Sequence, residues 1–312
     1  MGRDPAIEKI RARHSNHIEN FGGFVTHFID TYARPKNRSA EETERLLQRE
    51  FVSIWGDRRV VDITKQDVIA VLDHIMQDGR HTMANRSLAA IRKLFNWAVE
   101  RGAIEHSPCA GITKPAKEVS RDRVLADGEL RAVWEAAVAT GYPFGPMVQM
   151  LMLTGQRRSE IASMRWSDLE RVRGVWSIPA ESTKAGRPHF VLLTKKVQEL
   201  LVQTPRFDTD LVFPARGQKH RPFSGFGKCK ARLDELCGVM GWTLHDLRRT
   251  FSTIQARVGT PPHITERILN HQVGSLTAVA KIYNRYSYFD EMRVAMCNYE
   301  RELQRILSIE NT

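Results

Sequence analysis

Long apolar runs are missing from this 312-residue chain, and so is any ordered pairing of its four cysteines. No stretch approaches the roughly 20 apolar residues that a membrane-spanning helix needs. The start is charged, with Arg3, Asp4, Glu8 and Lys9, and has no signal-peptide core. No membrane partner is expected, and the expected place of work is the cytoplasm. Cys109, Cys229, Cys237 and Cys297 are scattered without a C-x-x-C pair. That spacing argues against a zinc site or a disulfide framework and for free thiols in a reducing compartment. Clustered Asp and Glu of the kind that hold catalytic metal ions are lacking too, so neither metal nor cofactor is expected. There is no internal repeat and no low-complexity tract.

What is present is positive charge. Lys and Arg total 47 against 36 Asp and Glu, a formal net charge of +11. A balance of this size points to a polyanionic partner, with nucleic acid first in line. Hydrophobic residues make up 42% and charged residues 27%, which suits a globular chain able to bury a core. The length allows one large or two ordinary domains.

The first third reads as helices. Phe21, Phe24, Val25, Phe28, Ile29 and Tyr32 recur at helical spacing. Ser39 with Glu42 has the pattern of a capping box before Leu46, Leu47 and Phe51. Thr64 is placed to cap a third helix with Val68, Val71, Leu72 and Ile75 inside, and Gly79 to end it. Thr82 is placed to cap a fourth, with Leu88, Ile91, Leu94, Phe95 and Ala98 inside and Gly102 at its end. Four amphipathic helices with short connections predict a small bundle over residues 20–113. The polar, basic stretch 114–121 is expected to be a linker, and residues 1–19 a tail or connector. From residue 122 to 312 a second, mostly α domain is expected. Asp127 is placed to cap its first helix, and a break falls at Thr154-Gly155. The only convincing strand pair, Val175–Ile178 and Phe190–Leu193, suggests a hairpin, and most of the chain from Lys195 onward reads helical. The expected fold class is therefore mainly α (α+β): an N-terminal helical bundle plus a mostly α domain with a small antiparallel sheet.

Four stretches carry residues suited to phosphodiester chemistry without a metal. Arg157 and Arg248 offer planar forks of donors that meet two phosphate oxygens at once. Arg248 lies one turn after His245, so both share a helical face, whereas the adjacent Arg158 and Arg249 point elsewhere. Glu160, three residues after Arg157, is placed to brace a neighbouring Arg or His. Lys184 sits at the tip of the expected hairpin, where a flexible amine can protonate a leaving oxygen. His245 and His271 are donors or proton shuttles. A tyrosine near them, Tyr283, Tyr286 or Tyr288, is the candidate nucleophile, and a phenol with a pKa near 10 needs cationic neighbours to act as one. Composition does not choose among the three.

These residues, in this order, resemble the tyrosine recombinase (phage integrase) family, especially the integrases of prophages and genomic islands. The likeness rests on Leu153-Thr154-Gly155-Gln156-Arg157-Arg158-Ser159-Glu160-Ile161, Thr183-Lys184-Ala185-Gly186-Arg187-Pro188-His189, Leu244-His245-Asp246-Leu247-Arg248-Arg249-Thr250-Phe251, and Leu269-Asn270-His271 followed by Tyr283-Asn284-Arg285-Tyr286. It spans roughly residues 20 to 300. The resemblance implies that Arg157 and Arg248 clamp the scissile phosphate with Glu160 in support. Lys184 would be the general acid, His245 and His271 would complete the pocket, and Tyr283 would be the nucleophile that forms a 3′-phosphotyrosine. Implied partners are double-stranded DNA at attachment or core sites, a homotetramer on DNA (a monomer without it), and an excisionase or host DNA-bending protein. The implied location is the bacterial cytoplasm, at the nucleoid. The amphipathic tail from Glu291 to Ile309 would pack on a neighbouring protomer, and the two domains would close as a C-shaped clamp on duplex DNA. Two departures stand out. Asn270 occupies a position where many relatives carry Gly. Gly2-Arg3-Asp4-Pro5-Ala6 resembles the connector that follows an arm-binding domain, so that domain is expected to be lacking here. A tyrosine topoisomerase, a DNA-binding module with a dead site and a metal-dependent integrase are the rival readings.

Overall fold

The computed structural model describes residues 20–37, 39–118, 121–170, 172–183, 186–271 and 288–308. The chain divides into two compact units, Met1–Ser120 and Arg121–Thr312.

In the first unit Asn20 opens α1 (Phe21–Phe28), its Oδ1 accepting from the Gly23 N–H at 2.8 Å. The helix runs on through a π segment (Ile29–Ala33) into α2 (Arg34–Lys36). In the same way α3 (Ala40–Leu47) passes through a π segment (Gln48–Val52) into α4 (Ser53–Trp55). A reciprocal capping box starts α5 (Lys65–Gln77): the Thr64 N–H donates to Asp67 Oδ2 at 2.8 Å, and the Asp67 N–H to Thr64 Oγ1 at 3.3 Å. The long α6 (His81–Glu100) completes the bundle. Its Trp97 lies 5.3 Å from Phe24 and 5.4 Å from Phe28, ring to ring, while Phe21 meets Trp55 edge-on at 5.3 Å. Such contacts add aromatic geometry to simple apolar burial.

Two expected caps are corrected here. Ser39 has φ −100° and ψ 23°, not the extended backbone of a cap, and makes no capping bond; Glu42 binds Arg45 instead. Thr82 lies inside the first turn of α6, whose N-cap position is Arg80. Arg80 is held there by ion pairs to Glu50 and Asp78. Part of the expected linker is tied to α6: Asn85 Oδ1 accepts from the Ala116 N–H at 3.0 Å, and Asn85 Nδ2 donates to the Ala116 carbonyl at 2.9 Å.

The second unit begins with α7 (Asp127–Thr140), packed on α8 (Phe144–Thr154). The expected cap is displaced by one residue. Ala126 holds the cap position, its N–H donating to Glu129 Oε2 at 2.8 Å, and the Asp127 carboxylate pairs with Arg257 at 2.8 Å. After the short α9 (Arg158–Ala162) comes an antiparallel sheet of β1 (Leu169–Glu170), β2 (Val175–Ile178) and β3 (His189–Leu192), with Ile178 opposite His189. Then follow α10 (Lys195–Gln203), a second hairpin of β4 (Pro214–Ala215) and β5 (Gln218–Pro222) and, among the described residues, four helices. These are α11 (Phe226–Cys237), α12 (Leu244–Arg257), α13 (Pro262–Ile268) and α14 (Phe289–Ser308). The strands β1, β4 and β5 correct the expectation of a single strand pair, while most of the described chain from Lys195 onward is helical, as expected. Every residue of β5 is exposed, so it carries no alternating apolar signal.

The tail is corrected as well. Met292, Ala295, Met296, Tyr299, Leu303 and Ile306 form one stripe of α14, and all are buried in the unit's own core. The Tyr299 hydroxyl donates to the Met152 carbonyl of α8, and the Arg131 guanidinium to the Ile306 carbonyl. Only Val294 of the expected apolar set faces out, at 60% exposure. The stripe is continuous at helical spacing, so one helix face is used up in cis. Among the described residues no helix is long and apolar enough to cross a membrane.

Candidate active site

The site is assembled where three chain turns meet. The first follows α8. Gly155 ends that helix in the left-handed region at φ 63°, and a Cβ there would lie 2.6 Å from Cγ of Phe251. Only glycine satisfies both conditions. The chain then passes the buried Gln156 and reaches Arg157, whose extended backbone starts α9. Glu160, 1% exposed, holds Arg157 twice: Oε2 accepts from its N–H at 2.9 Å and Oε1 from Nη1 at 2.9 Å. The brace expected of Glu160 is thus aimed at Arg157.

The second contributor is α12, opened by Thr243. The Asp246 carboxylate, fully buried, accepts from the Thr243 N–H and hydroxyl at 2.8 and 3.0 Å and pairs with Arg121 and Arg249. Burial pushes this carboxyl up, but the Thr243 and arginine hydrogen bonds outweigh it and hold its pKa below the usual value. Arg249 is thereby committed to Asp246. Arg158 lies over the Phe226 ring, 4.5 Å from its centroid. Arg248 turns inward and is 4% exposed. Its Nη1 donates to the Gly155 carbonyl at 2.8 Å and its Nη2 to the Leu269 carbonyl. Among the described residues no carboxylate lies within ion-pair distance of it. Burial first, and Arg157 second, lower its pKa to about 10, which leaves it charged at neutral pH.

The third is the turn after α13. His271 Nδ1 lies 2.8 Å from Glu266 Oε2. A carboxylate only accepts, so Nδ1 carries the proton and Nε2 is the lone-pair nitrogen of the neutral ring. Burial and then Arg248 lower the pKa of His271 against the pull of Glu266. His245 on α12 is exposed and lowered by burial, Arg249 and Arg248. Arg157, His245 and Arg248 line one open cavity of about 570 Å³ with Gln156, Arg158 and Lys230. Lys184 and Tyr283 lie outside the described residues. Tyr288, one of the competing tyrosines, packs between the His263 ring and the Arg267 guanidinium.

Sequence reasoning gave no role to His189, although it lies inside the hairpin motif. It is 6% exposed, with Nε2 3.2 Å from Gln156 Oε1. The Gln156 amide donates to the Thr154 and Ile268 carbonyls at 3.0 and 2.9 Å, which commits its oxygen to His189. Burial, then the charges of Arg248 and Arg157, push the pKa of His189 down to about 4. It is a neutral tie between β3 and the arginine pocket. Glu266 and Arg187 were also passed over. A carboxylate five residues before a histidine gives no helical-face signal, and Arg187 acts on a turn far along the chain, at Asn270.

Comparison with known proteins fits this arrangement. The phage integrase family matches residues 126–288, and the phage integrase central domain matches residues 21–115. The chain belongs to the phage integrase family and is an enzyme of the tyrosine recombinase class. It is 26% identical to prophage integrase IntZ of Escherichia coli (strain K12) over 276 residues, 86% of this chain and 67% of IntZ. It is 22% identical to the integrase of Shigella phage Sf6, over 82% of this chain and 68% of that protein. For prophage integrase IntA of the same E. coli strain the values are 25% identity, 82% and 63%. The chain thus spans about two thirds of the length of these relatives. In fold it is similar to lambda integrase, solved as a tetramer bound to a Holliday junction, with TM-score 0.65 and 18% identity over 88% of this chain and 83% of that one. It is also similar to the Tn1549 transposon integrase, solved with circular intermediate DNA, with TM-score 0.56 and 15% identity over 87% and 98%.

Proposed function

We propose that this chain cuts and rejoins duplex DNA at a specific site through a 3′-phosphotyrosyl intermediate, so as to integrate or excise a mobile element. The observation that carries the reading is Arg248, a buried and charged guanidinium bonded to two carbonyls with, among the described residues, no carboxylate within ion-pair distance. A buried cation without a counter-ion is costly unless an anion joins it, and the phosphodiester of DNA is that anion. Arg157, braced by Glu160, takes a second phosphate oxygen. His245 completes the donor set for the charge that develops in the transition state, and the neutral His271 offers its Nε2 lone pair as a proton acceptor. The Tyr283 oxygen bonds to phosphorus as its proton passes to His271 Nε2, and the bond from phosphorus to the 5′ oxygen breaks. Lys184 protonates that oxygen to a free 5′-hydroxyl. Attack by a 5′-hydroxyl of the partner duplex reverses the step, with phosphate bond energy retained and neither ATP nor metal required.

The bundle contacts the core site, and phosphate contacts by Lys and Arg supply most of the affinity, which therefore weakens with salt. Recombination joins two duplexes, each cut by a pair of protomers, which calls for a homotetramer on DNA and a monomer in its absence. An excisionase or a host DNA-bending protein fits as an accessory partner, and the work is done at the nucleoid in the cytoplasm. The test is covalent capture on nicked duplex DNA carrying a candidate attachment site, in EDTA. The wild type is expected to form a denaturant-resistant adduct that Tyr283→Phe does not. An adduct retained in the mutant moves the nucleophile to Tyr286 or Tyr288. Tight binding without an adduct in the wild type sinks the reading in favour of a DNA-binding module.

A further inference from the structure

Asn270 carries two features that work against stability. Its backbone lies in the left-handed region at φ 49°, which a residue with a Cβ enters at a cost that glycine does not bear. Its side chain is 4% exposed, and Nδ2 is buried without a hydrogen-bond partner among the described residues. An orphaned buried donor forfeits its hydration. A glycine at this position would remove both costs.

What glycine would also remove is one contact. Arg187, at the foot of the β3 strand, donates from Nε to Asn270 Oδ1 at 3.2 Å and from Nη2 to the His271 carbonyl at 3.2 Å. A guanidinium only donates, so the amide oxygen must face it, and the amide nitrogen is left over as a result. The same turn is gripped from the other side, since Arg248 holds the Leu269 carbonyl and Glu266 holds His271 Nδ1. The segment Leu269–Asn270–His271 is therefore fixed by three separate elements, and the Asn270 side chain is the point at which the β3 hairpin joins in.

We infer that Asn270 is a positioning residue: through Arg187 it locks the hairpin foot to the turn that presents His271, and so sets the histidine against the Arg157–Arg248 pocket. The inference rests on the reading of that pocket as a phosphodiester site. Strain and an unsatisfied donor retained at one residue beside a reactive centre are what a local sacrifice of stability for geometry looks like.

The experiment uses the full chain with Asn270→Gly, Asn270→Asp, Arg187→Ala and the Asn270→Gly/Arg187→Ala double variant. Single-turnover adduct formation and denaturant midpoints are measured for each. Asn270→Gly is expected to be as stable as the wild type or more so, yet slower in adduct formation by about ten-fold, because small displacements of an aligned group are costly in rate. Asn270→Asp keeps the acceptor for Arg187 and is expected to stay near the wild-type rate. The double variant is expected to be no slower than Arg187→Ala alone, since both changes cut the same link. Wild-type speed in Asn270→Gly, losses that multiply in the double variant, or a slow Asn270→Asp would each overturn the proposal. The stability cycle stands apart from catalysis: Arg187→Ala should lower the midpoint more with Asn270 present than with glycine there. If the wild type forms no adduct, the phosphodiester reading fails, and equal midpoint losses in both backgrounds would still refute the lock.

Discussion

Glu50 in the helical bundle and Arg248 in the second unit are both nearly withdrawn from water, at 6% and 4% exposure, and their surroundings are opposite. Glu50 is enclosed by its counter-ions. Arg49 lies at 2.5 Å and Arg80 at 2.8 Å, and although burial pushes the carboxyl up, these arginines bring its pKa below the usual value. Its charge is settled within the fold. Arg248 has carbonyls where Glu50 has counter-ions, and the charge that acts on it most strongly is a second arginine, Arg157. A buried charge that is paired is architecture, whereas a buried charge left unpaired inside an open cavity is a receptor for the opposite charge.

Three measurements press on that contrast. The largest effect is expected from Arg248→Ala, which should slow single-turnover cleavage by about a thousand-fold, as loss of a donor to a developing oxyanion does. Arg248→Lys should recover little, because an ammonium cannot bridge two carbonyls and a phosphate in one plane. A loss under about ten-fold would make Arg248 a structural residue like its counterpart in the bundle. Next comes Glu50→Leu, expected to cost about 3 kcal/mol of stability by removing the charge-assisted hydrogen bonds of Arg49 and Arg80, with the cleavage rate per folded molecule unchanged. A rate defect in that variant would erase the distinction. The smallest concerns His189. Its folded pKa near 4 is below the ordinary value of 6.5, so the unfolded chain takes up the proton first as pH falls. Stability is therefore full above about pH 6.5 and declines toward pH 4 by up to about 1.4 kcal/mol per unit. Denaturant titrations at pH 7.5 and 5.0 should show His189→Gln losing about 2 kcal/mol less than the wild type. Equal losses would mean that the buried ring does not titrate as described.

The helices and much of the site were legible because their signals are local. The stripes of α1, α5 and α6 repeat within a few residues, and His245 and Arg248 share a face of α12 by spacing alone. Caps were misplaced where a distant partner decided the outcome. Asp127 is drawn to Arg257, and Arg80 is fixed by Glu50, so α7 starts one residue and α6 two residues before the expected place. The β5 strand was illegible because nothing on it is buried. His189 was given no role, and Asn270 stood out only as a departure, for the reason that makes both informative: their partners, Gln156 and Arg187, lie 33 and 83 residues away in the chain. Long-range polar ties leave no periodicity to read.

The burial of α14 has a consequence in time. Tyr299 secures the carbonyl of Met152, two residues before the turn that aims Arg157, and its ring packs on Phe251 at 4.3 Å, the same ring that Gly155 must clear. The pocket's walls thus wait on a residue made 147 residues after Met152. Until Leu303 and Ile306 have left the ribosome, the second unit lacks one side of its core. A nascent chain can fold its bundle early, but its arginine pocket stays without one wall until α14 has been made.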